Sequence, residues 1–272
     1  MKNVLITGCS SGYGRATALQ FLERGWNVVA TMRSPGKAGL PKADRLREVR
    51  LDVTDRASID AAIREGLTAF GGLDVVVNNA GIGLFGAFEA TPEKTVREVF
   101  ETNTFGVMAV TQAVIPHFRE RRAGTLVNVT SSVGIVPMPL VAAYVASKFA
   151  IEGFTEALSY ELSCFGVRTK IVQPGYGPTT SFIANSGDRM NGTVPEPYAP
   201  YAQQLMSGMG AAKTTNATEV AEAVWLAATD GSDRLRYAAG RDAEDLAVMR
   251  RALPGEDYLG QLRAAMGPKS GA

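Results

Sequence analysis

Apolar and polar positions are arranged in alternating blocks along this chain. Short apolar, β-branched runs recur: VLIT from Val4, WNVVAT from Trp26, VRLDV from Val49, LDVVVN from Leu73, TLVNVT from Thr125 and VRTKIVQ from Val167. Between most of them the apolar residues return every three or four positions, as in ATALQFLERG, SIDAAIREGLTAFG, KTVREVFETNTFGVMAVTQAVIPHFRE and SKFAIEGFTEALSYELSCFG. That period marks helices with one face on a core, and unbroken apolar runs mark strands covered on both sides. Strand alternating with helix predicts a parallel β-sheet flanked by helices. Right-handed crossovers make a doubly wound α/β sheet the simplest topology.

No linker interrupts the alternation before Gln173, so residues 1–272 are expected to form a single domain. From Gly175 to about Thr215 the pattern breaks. Pro178, Pro195, Pro197 and Pro200 stand there among Phe182, Met190, Tyr198, Tyr201, Met206 and Met209. Long irregular segments in compact domains tend to be functional. A lid at about 176–215, after the sixth strand, is expected, its prolines and glycines preventing a long helix. Beyond it, TEVAEAVWLAATD predicts a helix, RLRYAA a strand, and residues 242–272 a charged helical tail.

Composition narrows the function classes. The 272 residues are 46% hydrophobic, enough for a sizeable core, and the net charge is +1 with acids and bases mixed. Nothing in that balance offers a face for nucleic acid or an anchor for membrane. No apolar stretch reaches spanning length, and MKNVLITG turns into glycine too early for a signal peptide. A cytoplasmic setting is expected. Cys9 and Cys164 form no disulfide framework, and no Cys/His cluster has metal-ligand spacing, so no metal is expected. Cys9 reads as a small filler, and the single histidine, His117, as structural or solvent-facing.

Two stretches carry candidate chemistry. TGCSSGYG, at 7–14, links the first strand to the first helix. Gly8 suits a tight turn, Gly12 a close approach of phosphate to backbone, and Gly14 close packing of helix on strand. Ser10 and Ser11 add hydroxyls, Tyr13 sits between the last two glycines, and a helix N-terminus attracts anions. A glycine-rich turn without ligand is the other reading. Tyr144 and Lys148 stand at i and i+4 and share a helix face. A tyrosine near an ammonium is a candidate general acid/base; the plainer reading is a tyrosine packed on a lysine stem.

Taken in order, TGCSSGYG, Asp52 after the third strand, NNAG at 78–81, Asn103 in NTFG, the pair Ser131–Ser132, YVASK at 144–148 and Pro174–Gly175 resemble the short-chain dehydrogenase/reductase family over roughly residues 1–230. The resemblance implies a Rossmann fold and a nicotinamide cofactor. It makes Tyr144 the general acid/base and Lys148 the ligand of the nicotinamide ribose that lowers the tyrosine pKa. Ser131 would hydrogen-bond the substrate oxygen, with Ser132 as the alternative, and Asn103 would sit at a helix irregularity and hold a relay water. Asp52 and Val53 would contact adenine, with a turn-forming role for the aspartate as the alternative. Asn79, Ala80 and Gly81 would close over the adenine side. Pro174, Gly175, Gly177 and Thr179 would meet the nicotinamide end, although Gly177 stands where the family commonly has a β-branched residue.

The second strand ends at Met32 and Arg33, where NAD enzymes place an acid for the ribose hydroxyl. A guanidinium suits a 2′-phosphate, so NADP(H) is expected over NAD(H). Leu84, Phe85, Met138, Phe182 and Met206 point to an apolar or aromatic ketone, aldehyde or secondary alcohol as substrate. The tail RYAAGRDAEDLAVMRRAL resembles the branch with steroid and retinol dehydrogenases. A homodimer or homotetramer is expected. The alternative function is a non-catalytic NADP(H)-binding or redox-sensing protein on the same fold.

Overall fold

The structure is a computed structural model that describes residues 1–177, 187–210, 214–253 and 255–268. Its strands are β1 (Asn3–Ile6), β2 (Asn27–Met32), β3 (Leu46–Arg50), β4 (Val75–Asn78), β5 (Gly124–Val129), β6 (Val167–Pro174) and β7 (Arg236–Ala239). They form one parallel sheet in the order β3-β2-β1-β4-β5-β6-β7. The order reverses between β1 and β4. Loops leaving these two strands turn toward opposite faces and open a crevice at their carboxyl ends.

The helices of eight or more residues are α1 (Gly12–Glu23), α2 (Arg56–Phe70), α3 (Glu93–Phe100), α4 (Gly106–Arg121), α5 (Ala142–Ser163), α6 (Ala199–Gly210), α7 (Ala217–Thr229), α8 (Arg241–Ala252) and α9 (Gly255–Met266), and a single helical turn spans Gly187–Met190. Strand alternation sorts the core into two layers. Val4, Ile6, Val28, Ala30, Val75 and Val77 pack under α1 and α7, where Phe21, Trp26 and Trp225 meet edge to face. Leu5, Val29, Val76 and Leu126 pack under α2, α4 and α5. Strands buried on both faces explain the unbroken apolar runs of the sequence. Asp55 caps α2 by accepting from the N–H groups of Ala57 and Ser58, and Asn216 with Glu219 forms a capping box on α7.

The helical stretch from Lys94 holds the irregularity that the resemblance implies at Asn103: a π-helical turn, Glu101–Phe105, separates α3 from α4. Such turns interrupt the regular ladder and re-aim side chains. Within 176–215, a twelve-residue helix does form, α6. Pro200 lies in its first turn, where the missing N–H costs nothing because that donor has no partner within a helix anyway. Prolines there start the helix rather than forbid it. Thr179 and Phe182 lie outside the described residues.

Candidate active site

The glycine loop is locked to the loop after β4. Gly8 has φ +75°, and a Cβ on it would lie 2.9 Å from the Cα of Ala80. A Cβ at Gly14 would overlap the carbonyl oxygen of Gly8 and the side chain of Asn79. Only glycine allows this approach of α1 to β1 and β4. Thr7 fastens the two loops: its Oγ1 accepts from the N–H groups of Asn79 (2.9 Å) and Ala80 (3.0 Å), and its carbonyl accepts from Asn79 Nδ2 at 2.9 Å. Thr7 was not singled out among the sequence candidates, although it opens the TGCSSGYG motif. Ser11, the N-cap of α1, is extended and makes no side-chain bond to the first turn. The donors of that turn therefore point outward, as an anion site requires.

A cleft of about 970 Å³ runs along these loops. Its walls are the 8–14 loop, Met32 and Arg33 after β2, Leu51–Thr54 after β3, Asn79–Ile82 after β4, and α3 with Arg189. Asp52 has two jobs here. Its Oδ1 accepts from Thr54 N (3.0 Å) and Oγ1 (2.8 Å), forming the turn that leads into α2, and it also faces the cleft. Partial burial opposes its ionisation, but the Thr54 hydrogen bonds and the charges of Arg33 and Arg50 prevail and hold its pKa below the usual value. Lys94, Arg97 and Thr102 also line the cleft, and none was singled out from sequence. A cleft of this shape, with a phosphate-ready helix end and a basic group beyond β2, fits a dinucleotide.

Behind Gly81, which lines the cleft, four side chains lie close together. Ser131 follows β5 and precedes a single 3-10 turn, Ser132–Gly134, whose Val133 N donates to its Oγ at 3.3 Å; the same hydroxyl lies beside the phenol of Tyr144 in the first turn of α5. Lys148, one turn later, donates to the Val129 carbonyl at 3.2 Å, with Nζ 5.8 Å from the centre of the Tyr144 ring. Asn103 lies in the π-helical turn and is wholly buried. Its Oδ1 accepts from Ile82 N at 2.8 Å, and its Nδ2 donates to Ile82 O at 2.9 Å and Ser147 Oγ at 3.2 Å. Ser147 in turn donates to the Tyr144 carbonyl at 2.7 Å. Asn103 thus braces the end of NNAG against the catalytic helix, an arrangement the π turn makes possible. A Cβ at Gly81 would sit 3.3 Å from Asn103 Oδ1 and 3.6 Å from Lys148 Nζ, so the NNAG loop touches both.

The electrostatics of the two side chains are set by burial. It pushes the Tyr144 phenol above its ordinary value; the Ser131 hydroxyl pulls it back in part, and the Tyr13 phenol adds to the rise. The Lys148 pKa falls from 10.5 to about 8 through burial, with the Glu152 carboxylate opposing. Glu152 is itself held by Thr130 (2.7 Å), Gln173 (3.0 Å) and Arg236 (3.0 Å).

Leu84 and Met138 pack with Tyr144 and Val133 in one apolar cluster. Phe85 and Met206 line a separate apolar recess of about 560 Å³ with Val194 and Ala202. After β6, Gly175, Tyr176 and Gly177 run beside Tyr13, and a Cβ at 177 would overlap the Tyr13 hydroxyl. Cys9 is buried and donates to Ile6 O at 3.2 Å; burial raises its pKa to about 12. It is no nucleophile. His117 Nε2 bonds the backbone of Leu73 at 3.1 Å, a structural contact. Among the described residues no acidic, His or Cys cluster could hold a metal, and no helix is long and apolar enough to cross a membrane.

Residues 2–189 match the short chain dehydrogenase family. This chain belongs to that family. Similar proteins include the oxidoreductase YusZ of Bacillus subtilis, 32% identical over 93% of this chain and 94% of that protein. A 3-ketodihydrosphingosine reductase of Bacteroides thetaiotaomicron is 39% identical over 63% of this chain and 62% of its own length. Among solved structures, a short-chain dehydrogenase from Streptomyces avermitilis superposes with TM-score 0.78 at 34% identity, covering 97% of this chain and 93% of that one. A Burkholderia phymatum short-chain dehydrogenase/reductase in complex with NAD gives TM-score 0.78 at 26% identity, over 96% and 95% of the two chains. ElxO with NADP bound gives 0.73 at 25%, over 87% and 97%. The doubly wound Rossmann fold and the oxidoreductase family assignment hold; the family's solved members carry both dinucleotides.

Proposed function

We propose that this short-chain dehydrogenase transfers hydride between NADP(H) and an apolar or aromatic ketone or aldehyde, or the corresponding alcohol. The observation that carries this is the cluster of Ser131, Tyr144 and Lys148 behind the Gly81 edge of a cleft walled by the glycine loop, with Lys148 on the same helix face as Tyr144. The glycine loop and the first turn of α1 hold the pyrophosphate, Asp52 and Val53 the adenine, and Arg33 the 2′-phosphate. The cofactor supplies or accepts the hydride. Ser131 and Tyr144 both address the substrate oxygen: the serine orients it, and the neutral phenol gives it a proton as charge develops there. Lys148, whose Nζ reaches toward Gly81, holds the ribose and carries the replacement proton toward the tyrosine.

Arg33 on the cleft wall, without an acid at the end of β2, favours NADP(H) over NAD(H). The apolar surroundings of Tyr144, from Leu84 and Met138, favour a hydrophobic carbonyl compound. A long-chain ketone of the kind named for the Bacteroides relative falls in that class. The tail from Arg236 supports a place near the steroid and retinol dehydrogenase branch. Purified protein, NADPH or NADH, and a panel of long-chain, aryl and small ketones test the reading at the nicotinamide absorbance. Turnover of apolar ketones with NADPH supports it; turnover of none, in either direction, overturns it.

A further inference from the structure

The tail helix α8 reaches back to the end of β6 and the start of α7 through one side chain. Asp242, in its first turn, accepts from Tyr176 N at 2.6 Å and from Thr215 Oγ1 at 2.6 Å. Tyr176 is where the chain leaves β6, and Thr215 is where it returns to start α7. The same two residues are bonded directly, Thr215 N to Tyr176 O at 2.7 Å. One carboxylate therefore ties both ends of the 178–213 excursion to the tail.

Three glycines show how closely this knot is drawn. A Cβ at Gly175 would overlap the Asp242 carboxylate, and one at Gly240 would overlap the Thr215 hydroxyl. A Cβ at Gly177 would overlap the Tyr13 hydroxyl and lie 3.2 Å from the Thr215 carbonyl. Each missing side chain is replaced by a polar group from another element. Tyr13 lines the dinucleotide cleft, so through Gly177 the knot abuts a wall of that cleft.

We propose that Asp242 is a positioning residue: by fixing Tyr176 to Thr215 it holds Gly177 against Tyr13 and thereby shapes the nicotinamide end of the cleft. The proposal rests on the dinucleotide reading of the cleft and on no particular substrate. Carboxylate-to-amide replacement is the sharpest probe, because an amide nitrogen cannot accept from either donor.

The test measures binding of NADPH and NADH, and of the fragments 2′,5′-ADP and ADP, to Asp242→Asn and Thr215→Val, together with the fluorescence of bound NADPH. Both variants should weaken the dinucleotides about tenfold, the loss of one charge-assisted hydrogen bond. They should dim or shift the nicotinamide emission and leave the fragments within about twofold, since the adenosine end is remote from the knot. Thr215→Ser, which keeps the hydroxyl, should behave as the parent. Equal loss for dinucleotides and fragments would make Asp242 a general scaffold residue and overturn the proposal; so would unchanged dinucleotide binding in Thr215→Val and Asp242→Asn. Because binding is read without a ketone, a failure of the substrate panel leaves this test intact.

Discussion

The hydroxyl of Ser131, at the end of β5, lies close enough to the phenol of Tyr144, in the first turn of α5, to oppose the rise that burial imposes on its pKa. Tyr144→Phe keeps the ring packing and removes the proton. The kcat for an apolar ketone should fall by about 100-fold or more, the worth of a positioned general acid, with little change in NADPH affinity. Ser131→Ala should also lower kcat, whereas Ser132→Ala should stay near the parent. Steady-state kinetics decide it, and a phenylalanine variant with parental kcat removes Tyr144 from the mechanism.

Arg33 stands on the outer wall of the cleft beside Asp52. Arg33→Ala should weaken NADPH about tenfold, on the scale of one charge-assisted contact, and leave NADH nearly unchanged. Calorimetric titration with both cofactors reads the difference. Equal losses would mean that Arg33 serves the pyrophosphate or the fold.

Lys148 makes stability depend on pH. Its pKa drops from 10.5 to about 8 on folding, so between those values the unfolded chain holds more protons than the folded one. The contribution of this site to stability therefore rises as pH climbs from about 8 to about 10.5. Below that window the buried ammonium costs roughly 3 kcal/mol, offset by about 1 kcal/mol from its bond to Val129. Lys148→Met should be the more stable protein at pH 7, and its advantage should shrink toward pH 10. Urea midpoints at the two pH values check this; a constant gap between variant and parent would contradict the assigned shift. Glu152→Gln, which removes the carboxylate opposing the drop, should lower the lysine pKa further.

Tyr13 and Gly177 divide one volume between them. Gly177→Val should impair NADPH binding by driving against the Tyr13 hydroxyl. Tyr13→Ile in the same chain should restore part of the loss, with a coupling of about 1 kcal/mol or more as expected for residues in contact. Additive losses in the double-mutant cycle would show that the two do not share space.

What the sequence made legible follows from range. The strands, most helices and the glycine loop were readable because each depends on residues a few positions apart, through period or turn chemistry. The Tyr144–Lys148 face was readable for the same reason. The π turn at Glu101–Phe105 was not readable from periodicity, which runs straight through it; only the family resemblance marked an irregularity at Asn103. Nor were the links that cross the sheet. Asn78 donates to Asn128 Oδ1 (2.9 Å) and Thr111 Oγ1 (3.1 Å), and Asn128 donates to Thr155 Oγ1 (2.8 Å), yet in sequence both asparagines look like polar ends of apolar runs. Asp242 sits in the tail, far along the chain from Tyr176, and only the closing of β7 beside β6 brings them together. The effect of burial on the Tyr144 pKa was not legible, because burial is a property of the packed site and leaves no mark in the YVASK motif.

The buried thiol at the start of the glycine loop has a practical consequence. Cys164 is exposed and Cys9 is not, and the raised Cys9 pKa leaves almost no thiolate even when a reagent arrives. A thiol-specific dye should therefore count one cysteine in the folded protein and two in the unfolded one. The slow appearance of the second label becomes a clock for opening of the glycine loop, the segment proposed to hold the pyrophosphate. Any dinucleotide that binds there should slow that clock in proportion to its occupancy, giving an affinity measurement that needs neither a substrate nor an optical signal from the cofactor.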